Sequence, residues 1–121
     1  MSKIYNIKHE DGITFIELSR RPVYEELVEI IDDIADNYPY ELRLWDLSVV
    51  GLALDNNEIQ NIAQHGKKRF TRPSRMAIVA KQDLAYGISR VFEVYREEIG
   101  SSAKVFRDMN EAIAWLKSES N

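Results

Sequence analysis

The sequence predicts an α/β fold, a single-domain mixed β-sheet of about five strands with about four helices. Three observations lead there. A hairpin signal near the start, Asp11-Gly12, is followed by strand-like and helix-like runs that alternate to the end. The run "SRMAIVAK" (74–81) is apolar almost throughout, as a strand covered on both faces must be. Each helix-like run carries an apolar stripe at helical spacing and opens on proline or aspartate.

The elements follow in order. Glycine tolerates the positive φ of a tight turn, so "KIYNIK" and "ITFIELS" read as a hairpin with one strand at a sheet edge. In "RRPVYEELVEIIDDIADNYP", Pro22 suits the first helical position, where its missing N–H costs nothing. Val23, Leu27, Ile30, Ile31, Ile34 and Tyr38 form the inner stripe, and Glu25, Glu26, Glu29, Asp32, Asp33 and Asp36 the outer face. Pro39 stops this helix. "ELRLWDL" is the third strand. Asp55 is an N-cap with Glu58 in the capping-box position, opening a helix through Ile59, Ile62 and Ala63 to about Lys68. After "SRMAIVAK", Asp83 caps a helix whose stripe is Leu84, Ile88, Val91, Phe92, Tyr95 and Ile99, and Gly100 ends it. Gly87, inside that helix, costs about 1 kcal/mol against alanine and marks a close helix–sheet approach. "AKVFRD" is the last strand. Asp108 and Glu111 repeat the capping pattern before "MNEAIAWLK", and the tail "SESN" is frayed. The order β-β-α-β-α-β-α-β-α calls for right-handed crossovers.

Composition narrows the function classes. A chain of 121 residues fits one domain, 1–121, and 45% hydrophobic residues exclude global disorder. The absence of cysteine excludes disulfides, thiolate metal sites and a thiol nucleophile. The start "MSKIYNIKHE" has no apolar run of signal-peptide length, and no segment is long and apolar enough to span a bilayer. The expectation is a soluble cytoplasmic protein. A net charge of −4 argues against nucleic acid as the main partner.

The stretches "LRLWDLS", "RMAIVAKQDLAYGISRVFE" and "AKVFRDMNEAIAWL" resemble the STAS fold of anti-anti-sigma factors. They look closer still to the bacterial STAS-like (SpoIIAA-like) proteins grouped by fold with lipid-binding CRAL-TRIO domains. That family's switch is an aspartate, a hydroxyl residue, a small residue and a glycine at the start of the second helix. In "LALDNNEI", Asp55 matches the aspartate, Asn56 stands at the hydroxyl position, Asn57 follows, and Glu58 replaces the glycine. The loop before Asp55 is also about one residue longer than the family's. Asparagine accepts no phosphoryl group, so the kinase switch does not carry over to this position. The resemblance implies a non-enzymatic, regulatory or protein-interaction module without a phosphorylatable residue at the usual place. The alternative it implies is a small protein that binds a lipid or another apolar ligand.

The candidate site lies where strands end. Ligands of open α/β sheets gather outside the carboxyl ends of the strands. Asp46 and Ser48 end one strand, Lys81 and Gln82 its parallel neighbour, and Arg107 and Asp108 another. The partner- or ligand-binding candidates are Asp46, Ser48, Asp55, Asn56, Asn57, Lys81 and Asp83, beside helix N-termini that favour anions. The alternative is that Asp55, Asp83 and Asp108 already satisfy those N–H groups as caps. The run "HGKKRFTRPSR" reads either as an anion patch or as a solvated loop after a helix C-terminus. Its single aromatic, Phe70, is a poor platform for bases. The acidic face of the first helix and this basic run carry opposite signs, which also favours self-association. His9 and His65 lie far apart in sequence and lack the spacing of metal ligands. Ser48, Ser74 and Ser89 lack a nucleophile elbow, and no phosphate-binding or dinucleotide motif is present. No catalytic residue, metal or cofactor is therefore expected. Trp45, Phe92, Tyr95, Phe106 and Trp115 line an apolar pocket or fill the core.

Overall fold

Asp11 and Gly12 take φ of 54° and 79°, closing the hairpin of β1 (Tyr5–Glu10) and β2 (Ile13–Leu18). The computed structural model describes residues 3–97 and 101–118. The chain continues through α1 (Tyr24–Asn37), β3 (Leu42–Leu47), α2 (Asn56–Arg69), β4 (Arg75–Ala80), α3 (Asp83–Arg96), β5 (Ser102–Phe106) and α4 (Met109–Lys117). The sheet order is β1-β2-β3-β4-β5; β1 pairs antiparallel, and the other pairings are parallel. The hairpin strand β1 is an edge, as expected.

The strands are laid down one after another, so crossovers of one hand put α1, α2 and α3 on the same sheet face. Their Leu27, Ile30, Ile34, Ile59, Ile62, Ala85 and Ile88 pack there on Ile16, Trp45, Leu47, Met76 and Ile78. On the other face α4 covers Ile13, Leu44, Ala77 and Val79 with Ala112 and Leu116. Period-2 alternation divides β3 between the two layers, with Trp45 and Leu47 in one and Leu44 in the other. β4 is buried along nearly its whole length, as its apolar run requires.

Local chemistry corrects several expectations. Pro22 is not the first helical residue; α1 begins at Tyr24, with Val23 as N-cap. Glu26 sets this boundary: its carboxylate accepts from the Val23 N–H at 2.9 Å and from Arg20 Nη2 at 2.6 Å. Asp83 does not cap α3. Gln82 is the N-cap, without a side-chain cap bond, and Asp83 is the first helical residue. The buried face of α3 is Ala85, Ile88, Ser89 and Arg96, while Leu84 and Val91 are exposed. The helix is turned so that Ala85 and Ser89 meet the layer below beside Ile88, Phe92 and Tyr95 pack at its margin, and Leu84 and Val91 face out. Gly87 likewise marks no close approach, since a Cβ added there meets nothing within 4 Å. The expected stop at Gly100, the expected stripe residue Ile99 and 119–121 of the tail expected to fray lie outside the described residues, while Ser118 of that tail is held by Arg75 and Trp115.

Candidate functional site: a strand-end rim and a hollow beneath the helices

Parallel neighbours deliver their carboxyl ends to one edge. Asp46 pairs with Val79 and Val79 with Phe106, so β3, β4 and β5 finish level with one another. The expected site residues therefore gather on one rim, where several are already engaged. Asp46 Oδ1 accepts from Ser48 N at 2.9 Å and Ser48 Oγ at 2.5 Å, pinning the start of the loop. Asp55 accepts from Glu58 N at 2.8 Å, and Glu58 Oε1 accepts from Asp55 N at 3.0 Å, which closes the capping box. Asn56 Oδ1 accepts from the Tyr95 hydroxyl at 3.3 Å, and that hydroxyl accepts from Gln60 Nε2 at 2.9 Å. Arg107 Nη1 donates to the Lys81 carbonyl at 3.1 Å, and Nη2 pairs with Asp83 at 2.9 Å. The side chains of Asn57 and Lys81 are exposed. Asp46 and Asp55 thus anchor the backbone, and Asp83 pairs with Arg107 at the surface.

The loops of the rim also carry exposed apolar side chains. A Cβ added at Gly51 would lie 2.9 Å from Gln82 Oε1 and 3.9 Å from Arg21 Cδ, so the loops after β2, β3 and β4 converge there. Two residues from each of these positions stand Val23, Val49 and Leu84, which are 52%, 79% and 64% exposed. Val91 and Val94 extend exposed apolar surface along α3. Sequence reasoning missed these side chains, because each sits in a loop or stripe that equally well packs inward.

Behind the rim, between α2, α3 and the sheet, lies a hollow of about 70 Å³ walled by Leu27, Ile31, Trp45, Leu52, Leu54, Ile62, Met76 and Phe92. Arg43, Ser89 and Arg96 also line it. Arg43 is 2% exposed. Its Nη2 donates to Ser74 Oγ at 3.0 Å and its Nη1 to the Tyr40 carbonyl at 3.3 Å, while the guanidinium lies 3.9 Å from the Phe70 ring centre. Arg43 Nε and Ser89 Oγ are buried without a hydrogen-bond partner. Burial, and secondarily the Arg96 charge, push Arg43 down to about 10, which leaves it fully charged at neutral pH. A usable signal was present in the sequence: in "LRLWDL", Arg43 shares its parity with Trp45 and Leu47 and so falls on a buried face.

The five aromatics do not converge. Trp45 and Phe92 line the hollow, whereas Phe106 and Trp115 meet on the α4 side with ring centres 5.7 Å apart. The opposite charges of α1 and the basic run meet within the chain. Asp32 accepts from His65 Nε2 at 2.7 Å and lies 3.6 Å from Arg69 Nε, and Arg69 also pairs with Asp36. His9 stacks on Tyr40 at 3.9 Å. Arg43 and Phe70 also border an outer cleft of about 270 Å³ with Tyr40, Arg69, Arg72 and Ser74.

No family model matches the sequence, and no curated protein matches it. Among solved structures the chain is similar to an uncharacterized protein of the DUF3478 family with a SpoIIAA-like fold, from Shewanella loihica. The two are 18% identical with a TM-score of 0.57, over 93% of this chain and 91% of the other. The protein has a SpoIIAA-like, STAS-like α/β fold with a five-stranded mixed sheet and four helices. Among the described residues no helix is long and apolar enough to cross a membrane.

Proposed function

We propose that the protein is a non-enzymatic, regulatory interaction module of the cytoplasm that docks a protein partner on the rim of Ser48–Asn57 and Lys81–Leu84. The observation that carries this reading is that Val23, Val49 and Leu84 are exposed, each two residues along the chain from a member of the Arg21–Gly51–Gln82 junction. Scattered exposed apolar residues need no explanation, but several around one point mark a contact surface. Exposed Lys81, Asp83 and Asn57 lie on the same rim, and an interface combines apolar contacts with a polar edge. Asn56 and Asn57 leave the contact without a phosphoryl acceptor at the helix start, so docking there is not gated by phosphorylation at that point. The engagement of the rim aspartates in caps and ion pairs favours docking of a surface over catalysis.

The test is affinity recovery from a lysate of the source cells with wild type, Val49→Asp, Leu84→Asp and Gln64→Glu, the last on the distant half of α2. The expected result is one discrete protein held by wild type and Gln64→Glu and lost by both rim variants. Equal recovery by all four proteins contradicts the reading. A dimer in sedimentation that only the rim variants dissociate identifies the partner as a second copy.

A further inference from the structure

We propose that the hollow between α2, α3 and the sheet binds a small apolar monocarboxylate, whose carboxylate pairs with the Arg43 guanidinium. The strand pattern forces Arg43 onto the helix-covered face beside Trp45 and Leu47. A buried charge without a counter-ion is strongly unfavourable. Among the described residues, Arg43 has one hydroxyl, one backbone carbonyl and one aromatic ring as neighbours, and no carboxylate in ion-pair contact. Its Nε–H is unpartnered. The edge formed by Nε and Nη2 is one of the two through which a guanidinium grips a carboxylate with two parallel bonds. Nη2 carries two N–H groups and Ser74 takes one, so an incoming carboxylate completes the fork. The nearby Arg96 charge, which raises the energy of the Arg43 cation, favours an anion further.

The walls decide the rest of the ligand. Ile31, Trp45, Ile62, Met76 and Phe92 offer almost entirely apolar surface. A volume of about 70 Å³ is under half the roughly 150 Å³ of an engineered cavity that holds benzene. The body is therefore a short aliphatic group, and a membrane lipid's acyl chain does not fit. Ser89 Oγ is a second buried polar atom without a hydrogen-bond partner, on a residue of the same wall. The outer cleft meets the hollow at Arg43 and Phe70, and Arg69 and Arg72 there draw anions inward.

The experiment uses propanoate and its neutral counterpart 1-propanol as probes of the full chain at neutral pH. Titration with the acid is expected to raise the thermal midpoint dose-dependently, with the alcohol at least about tenfold weaker, as loss of a charge-assisted bond implies. Arg43→Met is expected to reduce the acid's affinity to that of the alcohol, and lowering the pH through the probe's own titration is expected to weaken binding. No binding of the acid, equal binding of acid and alcohol, or acid binding unchanged in Arg43→Met overturns the proposal. Should Arg43→Met fail to fold, nuclear Overhauser contacts in the wild type decide. Contacts from the probe's methyl group to Trp45 and Met76 uphold the site, and contacts confined elsewhere overturn it.

Discussion

Arg43 and Tyr5 show how single side chains set the energetics of this molecule. Arg43 carries its charge into an apolar layer, and its charged form is the disfavoured one. That penalty is in full force below about pH 10 and eases only as pH rises through that value toward the ordinary arginine range. Removing a buried cation without a counter-ion relieves its desolvation, which offsets the lost bonds to Ser74 and Tyr40. Arg43→Met in anion-free buffer at pH 7 is therefore expected to leave the urea midpoint unchanged or raise it. Tyr5 works in the opposite sense. Its hydroxyl donates to Asp33 Oδ2 at 2.6 Å, tying the edge strand β1 to α1. That bond, with a second from Asn37, holds the Asp33 carboxyl below its usual range. Burial first, and then Asp33, push Tyr5 up to about 12. A depressed carboxylate contributes stability that is present above its unfolded titration and lost as pH falls through the folded one. Tyr5→Phe is expected to cost about 1 kcal/mol at pH 7 by urea denaturation. The gap from wild type should close as pH drops below the carboxylate range.

At the scale of elements, α2 was legible in the sequence and α3 was legible only in its existence. The start of α2 is local chemistry: Asp55 and Glu58 exchange bonds with each other's backbone whatever lies around them. Asp55→Ala is expected to cost about 1 kcal/mol, measured by thermal denaturation. The orientation of α3 is tertiary. Counting large apolar residues selects Leu84 and Val91, but Ala85 and Ser89 allow a close approach and Arg96 extends its stem along Gly66. Two glycines report this orientation. Gly87 faces open space, so Gly87→Ala is expected to stabilise by about 1 kcal/mol. At Gly66 an added Cβ would meet Arg96 Nε at 3.1 Å, so Gly66→Ala is expected to show little or none of that gain. Pro22 was misplaced for a related reason: Glu26 reaches back to Val23 and moves the helix start past the proline.

For the whole molecule, the alternation of strands and helices made the sheet and its strand-end rim readable, because parallel neighbours must end along one edge. What crowns that rim was not readable. Whether Val23, Val49 and Leu84 point inward or outward depends on how three loops meet at Gly51. The hollow depends on how far α2 and α3 stand from the sheet, which no local pattern encodes. The fold, shared at 18% identity with the Shewanella loihica protein, fixes the stage and leaves the contact to the rim's own side chains. Amide hydrogen exchange of the wild-type chain, free and with its recovered partner, tests that contact most directly. The expected result is slowed exchange across 48–57 and 81–85 with α4 unchanged. Protection confined to α4 or β1, with the rim exchanging as in the free protein, contradicts it.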